Sequence, residues 1–248
     1  PVVAIAALDR RTAEDALQLV EVDYESLPAV HDVLEAAGPE SPLVHEQHRP
    51  AKAFADLAHV KAGQRSNICY HFKLRTGDVD KAFAEADRIF EDTFSSPPAQ
   101  HMPMEPHVTL AYFDEHERLN IWTASQSPSY VRTEISATFG IPMNRIRVRV
   151  PYIGGGYGAK LYAKLEPLCT VLALITKRPV RYALTREEEF LTITKHKVVT
   201  RIKTAIKDGA ITARKCEVYW DTGAYAEIGP RIGHKSGYTA AGPYRIPN

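Results

Sequence analysis

Cysteine is scarce in this chain: Cys69, Cys169 and Cys216 are the only three among 248 residues, and they stand far apart. An odd number without close spacing argues against a disulfide framework, and no paired spacing offers a zinc site or an iron–sulfur cluster. Long apolar runs are missing as well. The longest, Pro167 to Ile175, is about half the length that a bilayer crossing requires. Charge of one sign is also lacking: the formal net charge is +1, so bulk electrostatics point to neither a nucleic acid nor a membrane surface. No internal repeat, low-complexity segment or signal-peptide series stands out. These absences give the expectation of a cytoplasmic protein with no membrane insertion and no nucleic-acid partner.

What remains is ordinary globular sequence with alternating signals. The chain runs from Pro1 directly into "VVAIAAL", which reads as a strand without a lead-in and suggests a piece of a longer polypeptide. Thr12, three residues before Asp15, offers a helix start, with Ala13, Ala16, Leu17 and Val20 at helical spacing. "LVEVDYESL" then alternates as a strand, completing an expected β-α-β unit. From Val33 to Asn67 the periodicity fades into a long surface connection. Beyond it, Asp78 can cap a helix through Ala86, and "RIFEDTF" alternates as a strand. "HVTLAYFDEHERLNIWTAS" reads as a hairpin turning at Asp114 to Glu117. "SPSYVRTEISATFGIP" reads as a helix capped by Ser127, with Pro128 in its first turn and Gly140 and Pro142 at its end. "RIRVRVPYI" is a strand, "AKLEPLCTVLALITKRP" a mostly buried helix with Pro167 in its first turn, and "PVRYALT" a strand. A long hairpin turning at Asp208-Gly209 follows. The sum is α+β with mixed sheets.

The segment "VPYIGGGYGAK", residues 150–160, is the densest chemical signal. A P-loop would need glycine before its lysine and serine or threonine after it, but Ala159 and Leu161 stand there. Gly154, Gly156 and Ala159 satisfy the dinucleotide pattern G-x-G-x-x-A after a strand, yet the acidic residue due at the end of the next strand is missing. The glycines could also serve only close backbone packing. Consecutive glycines after a strand, however, can expose successive N–H groups as a nest for an anion or electron-rich oxygen.

"GGGYGAK" resembles the glycine-rich loop in the molybdenum-binding subunits of the xanthine dehydrogenase and aldehyde oxidase family, which includes the large subunit of aerobic carbon monoxide dehydrogenase. "TASQSPSYVRTEISATFGIPMNRIRVRV" resembles the family's stretch before that loop, and Gln126 stands 31 residues before Tyr157, as the family's cofactor glutamine and loop aromatic do. "HMPMEPH", "RPVRYALTREEEF" and "DTGAY" resemble flanking segments, and residues 2–30 resemble the end of a small α/β hammerhead domain. The fold this implies is α+β: residues 1–35 as the end of an α/β hammerhead domain, 36–70 as linker, and 71–248 as the first part of a molybdopterin-binding domain with mixed sheets and packed helices.

The resemblance also implies a molybdenum hydroxylase using water-derived oxygen. Its cofactor would be a molybdopterin cytosine dinucleotide with molybdenum, and electrons would leave to [2Fe–2S] clusters and FAD on partner subunits or domains. Gln126, Gly155, Gly156, Tyr157 and Gly158 are the cofactor-binding candidates, with no direct metal ligand. Expected partners are the rest of the molybdenum-binding subunit, an iron–sulfur subunit, an FAD subunit and a small-molecule substrate. Purine-oxidising members carry a substrate-binding glutamate just after the loop lysine; Leu161 stands here, which favours an aldehyde, an N-heterocycle or a CO-like substrate. Carbon monoxide dehydrogenases add copper to the centre. The family's glutamate base falls beyond Asn248, so no catalytic residue is assigned and the chain alone is expected to be inactive. Lys160 reads as a solvated helix-start lysine, "REEE" as a solvated helix face, and His101 and His107 as structural or surface residues rather than a metal pair. Two other readings stay open: an NAD(P)-binding dehydrogenase using the G-x-G-x-x-A loop, and a non-catalytic assembly module.

Overall fold

The structure, a computed structural model, describes residues 2–50 and 60–248. In chain order its elements are α1 (Arg10–Leu17), α2 (Val33–Ala36), α3 (Val79–Ala84), β1 (Arg88–Ser96), β2 (Val108–Phe113), β3 (Leu119–Thr123), α4 (Pro128–Phe139), β4 (Ile146–Arg149), α5 (Glu166–Thr176), β5 (Val180–Ala183), α6 (Arg186–Thr192), β6 (Lys197–Lys207), β7 (Ala210–Asp221) and α7 (Gly229–Tyr238). Over the described residues they fall into two compact units, one of Pro1–Leu27 with Gln100–Thr194, the other of Pro28–Ala99 with Lys195–Asn248.

The first unit is built on a sheet of order β4-β3-β2-β5. The β2–β3 and β2–β5 pairs are antiparallel, while β4 lies parallel to β3 after the crossover through α4. β3 sends Leu119 and Ile121 to one face, where α4 supplies Val131 and Ile135 and α5 supplies Cys169 and Ala173. Each helix thus contributes a pair at i and i+4, the spacing that keeps two side chains on one face. Fully burying the leucine, isoleucine and valine side chains among them stabilises the fold by about 1.5–3 kcal/mol each. On the strand pair β3–β4, Trp122 sits in register with Arg149, whose guanidinium lies 4.7 Å from the ring centroid. Gly140 ends α4 in the left-handed region at φ 68°, as expected. Ser127 stands at the N-cap position but its side chain makes no capping bond; instead its backbone N–H donates to Ser125 Oγ at 3.1 Å.

The second unit pairs β1, β6 and β7 in an antiparallel sheet of order β1-β6-β7. The β6–β7 hairpin turns at Asp208 and Gly209, both at positive φ (50° and 74°), as a tight right-twisted hairpin demands. Asp78 caps α3 by accepting from the Lys81 N–H at 3.0 Å. Helix α7 follows the hairpin and packs on β7; the sequence pattern had not called for it.

The β-α-β reading of the first residues needs correction. Only α1 forms, and it is capped by Asp9, whose carboxylate accepts from the Thr12 N–H, not by Thr12. Among the described residues, 2–8 and 19–27 take no strand partner. Val2, Leu8, Leu19 and Leu27 are exposed, so alternation there buries no face. The expected connection from Val33 to Asn67 is largely irregular where described, apart from α2; residues 51–59 of it lie outside the described residues. No helix among the described residues is long and apolar enough to cross a membrane.

Candidate functional site

Strand direction explains why distant residues meet. Because β3 and β4 are parallel neighbours, both leave the sheet at the same end: β3 into Ala124–Gln126, β4 into the glycine loop. The antiparallel pairings of β2 bring its entry, preceded by Glu105 and His107, to that same end, together with the exit of β5 towards α6. Three chain segments far apart in sequence therefore converge on residues 154–160.

Gln126 reaches the loop directly. Its Oε1 accepts from the Gly158 N–H at 3.1 Å and the Lys160 N–H at 3.2 Å, while its own N–H donates to the Lys160 carbonyl at 2.7 Å. A Cβ added at Gly156 would fall 2.4 Å from that same oxygen, so only glycine lets the amide come this close. The spacing of Gln126 to the loop thus corresponds to contact. Gly155 and Gly158 adopt φ 91° and 98°. Tyr157 is also left-handed at φ 53°, and its largely exposed ring lies beside Gly155. All five candidate cofactor residues, Gln126, Gly155, Gly156, Tyr157 and Gly158, are therefore brought together.

The surrounding framework was largely hidden from sequence reading. Lys160 is not solvated: its side chain is fully buried, and Nζ donates to the Glu105 carbonyl at 2.7 Å and to Glu105 Oε2 at 2.9 Å. Glu105 Oε2 also accepts from the Gly154 N–H at 2.9 Å, and the Glu105 N–H donates to the Gly154 carbonyl. Burial pushes the Glu105 carboxyl up, but Lys160 and the Gly154 N–H outweigh it and hold the group below its ordinary value. A Cβ at Gly154 would fall 2.5 Å from the Glu105 Cβ, which accounts for a second glycine. The "REEE" run needs the same correction, because Glu189 within it is 0% exposed and pairs with His107. Glu187 remains exposed, and Glu188 completes a capping box with Thr185. His107 is buried, between the Glu189 carboxylate and the Ala159 carbonyl. His101 is partly buried, and burial lowers its pKa against the opposing pull of Glu189. No group of three or more His, Cys, Asp or Glu among the described residues could hold a metal ion.

Past the loop, Glu134 accepts from the Ala163 N–H at 3.1 Å, and Glu166 accepts from Thr123 at 2.6 Å and the Lys164 N–H at 2.8 Å. These bonds explain buried carboxylates on α4 and α5. They also argue against the dinucleotide reading, since no helix starts at the loop: 157–160 form a turn and α5 begins only at Glu166, beside a mixed sheet rather than a parallel one.

The loop nevertheless suits an electron-rich group. Among the described residues no acceptor meets the N–H groups of Gly155, Gly156 or Tyr157, nor Gln126 Nε2. With Oε1 used by the loop, the Gln126 amide keeps only donors to offer. Backbone and side-chain donors beside a glycine-lined surface fit the oxygens of a molybdenum-bearing pterin cofactor.

Comparison with known proteins agrees. The model of the molybdopterin cofactor-binding domain matches residues 60–248. The chain is 31% identical over its whole length to the nicotinate dehydrogenase large molybdopterin subunit of Eubacterium barkeri. It is 33% identical, over 89% of its length, to the carbon monoxide dehydrogenase large chain of Afipia carboxidovorans. It spans 54% of the first relative and 27% of the second. The aldehyde oxidoreductase structure from Desulfovibrio gigas shares the fold, with a TM-score of 0.82 over 97% of this chain and 25% of that one, at 24% identity. By its match over residues 60–248, the chain belongs to the molybdopterin cofactor-binding domain family.

Proposed function

We propose that this chain is part of the molybdenum-binding subunit of a molybdenum hydroxylase, with Gln126 and the loop Gly155–Gly158 as its contribution to the cofactor site. The observation that carries the reading is the Gln126 amide, whose oxygen is occupied by two loop N–H groups at 3.1 and 3.2 Å. That contact orients the side chain and leaves its N–H donors for an oxygen on the cofactor. The N–H groups of Gly155, Gly156 and Tyr157 would hold the cofactor's electron-rich edge, with neither glycine placing a side chain in the way. The Tyr157 ring, exposed beside Gly155, would form an aromatic wall on the substrate side. When bound, the cofactor supplies two-electron oxidation of a carbon centre with water as the oxygen source. Its form would be the cytosine dinucleotide, with electrons passing to [2Fe–2S] and FAD on partner subunits or domains.

Leu161, an apolar residue after Lys160, supports a substrate that needs no carboxylate at that position: an aldehyde, an N-heterocycle or a CO-like molecule. A nicotinate-acting relative favours the N-heterocycle within that group. Residues 1–35 are assigned to the end of a hammerhead domain, 36–70 to a linker and 71–248 to the cofactor-binding domain. The setting is cytoplasmic, and activity requires the remainder of the subunit.

Native mass spectrometry of the protein from its own source, with metal and nucleotide analysis, tests the reading. Molybdenum and a pterin dinucleotide travelling with larger partners support it. A metal-free species near 27.6 kDa that runs alone would falsify it. In the complete enzyme, Gln126→Ala should lower turnover at least tenfold, about the effect of losing one well-placed donor, with assembly intact. Unchanged turnover removes Gln126 from the site.

A further inference from the structure

The cofactor-facing loop is held from behind by a segment that sequence reading left without a role. Residues 100–107 run beneath the loop, with Met102 at φ 52°, and helix α6 fixes them at several points. Arg186 donates to the carbonyls of Pro103 at 2.7 Å and Met104 at 2.8 Å, and Gln100 donates to the Glu189 carbonyl at 3.1 Å. Glu189 Oε2 accepts from the His107 N–H at 2.9 Å, and the His107 ring Nδ1 lies 2.8 and 2.9 Å from the two carboxylate oxygens. The opposite ring nitrogen, Nε2, lies 3.1 Å from the carbonyl of Ala159, inside the loop.

Both ring nitrogens of His107 are thus committed. A carbonyl oxygen can only accept, so Nε2 carries hydrogen towards Ala159, and Nδ1 and the Glu189 carboxylate share a proton between them. His107 is 5% exposed and Glu189 0%, so water cannot substitute for either bond. Ala159 lies between Gly158 and Lys160, the two residues whose N–H groups hold the Gln126 amide. An unbroken series of bonds therefore runs from α6 through Glu189, His107 and Ala159 to Gln126.

We infer that His107, clamped by Glu189, is a positioning residue that sets the glycine loop, and through it the Gln126 amide, for the cofactor. The inference rests on the functional reading of the loop given above. It touches neither cofactor nor substrate; it acts by fixing the turn that presents their donors. Lys160 and Glu105 hold the other side of the same turn, so His107 governs the segment from Gly158 to Lys160 specifically.

Two substitutions in the intact polypeptide separate this role from general core packing. Asparagine places an N–H near the position of Nδ1 but is too short to reach Ala159, so His107→Asn keeps the Glu189 side and drops the loop. Glutamine places its amide near Nε2, so His107→Gln restores the donor to Ala159. Amide hydrogen exchange reads the result with or without cofactor. In H107N the amides of Gly158 and Lys160 should exchange about tenfold faster than in the parent, with β2 and β3 unchanged, and H107Q should stay within about twofold. If only H107Q folds and its loop exchanges as in the parent, the bond to Ala159 is likewise the feature that matters. The inference is overturned if both variants keep parental loop exchange, if both loosen it equally, if protection falls uniformly across the sheet, or if neither folds. Pterin analysis of the parent protein stands apart from these outcomes: absence of a pterin sinks the functional reading and leaves the exchange result to judge the loop.

Discussion

Two single residues show how little freedom the site has. Gly156→Ala would put a methyl carbon 2.4 Å from Gln126 Oε1, so either the loop or the glutamine must move. Displacement breaks the pair of N–H bonds to that oxygen, and the variant should lose about 1–3 kcal/mol of stability along with cofactor retention. Thermal unfolding and pterin content of the purified variant check both effects. Lys160→Met tests a different term. The lysine is fully buried, whereas the Glu105 side chain keeps 31% of its exposure. Removing the cation thus leaves a carboxylate that can partly rehydrate, and the expected destabilisation is about 3 kcal/mol, the low end for a broken buried pair. Denaturant unfolding measures it, and a loss below the error of the method would show that the pair adds nothing to the fold.

At the scale of elements, the ends matter more than the interiors. Helix α6 has only seven residues, too few to persist by itself. It carries both Arg186 and Glu189, so its stability is transmitted to the segment before β2. Its start is secured by the Thr185 capping box, in which Thr185 Oγ1 accepts from the Glu188 N–H at 3.0 Å and Glu188 Oε2 accepts from the Thr185 N–H at 2.7 Å. Thr185→Ala should cost about 1 kcal/mol in equilibrium unfolding. Because α6 anchors His107, hydrogen exchange in this variant should also rise at Gly158 and Lys160, far from position 185 in sequence. A stability loss confined to α6 would show that the helix does not communicate with the loop.

For the molecule as a whole, acid should be the first stress to tell. Burial raises the Glu105 carboxyl but its bonds to Lys160 and Gly154 lower it further; Asp114 is lowered first by the Arg118 N–H, and Asp32 first by the Glu35 N–H. Each carboxyl therefore has a folded pKa below its unfolded value, near 4.5 for glutamate and 3.8 for aspartate. A depressed folded pKa contributes stability above the unfolded value, and that contribution is lost as pH falls through the folded one. The unfolding free energy should begin to fall below about pH 6.5, where His101, held below its ordinary value by burial, takes up a proton on unfolding, and should decline further once pH drops below about 4.5. In Lys160→Met the part of this decline due to Glu105 should shrink, which a pH series of denaturant melts on parent and variant would reveal.

The sequence by itself determined the local elements and the chemical content of the loop. Alternation set β2 and β3, Pro128 and Gly140 bounded α4, and Asp208-Gly209 placed the β6–β7 turn, because strand periodicity, capping and positive φ are properties of a few neighbouring residues. Gln126 was within reach of sequence reading only through its spacing to Tyr157. The alternation of residues 2–8 and 19–27 misled, because a strand exists only where a partner strand supplies its hydrogen bonds. Lys160, Glu105, His107 and Glu189 could not be read in advance either. Each is a polar residue of a kind that usually faces water, and what holds it here is a partner between 52 and 82 residues away in sequence. Only the parallel pairing of β3 with β4, and the antiparallel pairing of both β3 and β5 with β2, bring those segments to one end of a sheet. The tertiary structure therefore decided which charges meet, since the Coulomb and hydrogen-bond terms that stabilise them act over a few ångströms of space, whatever their separation along the chain.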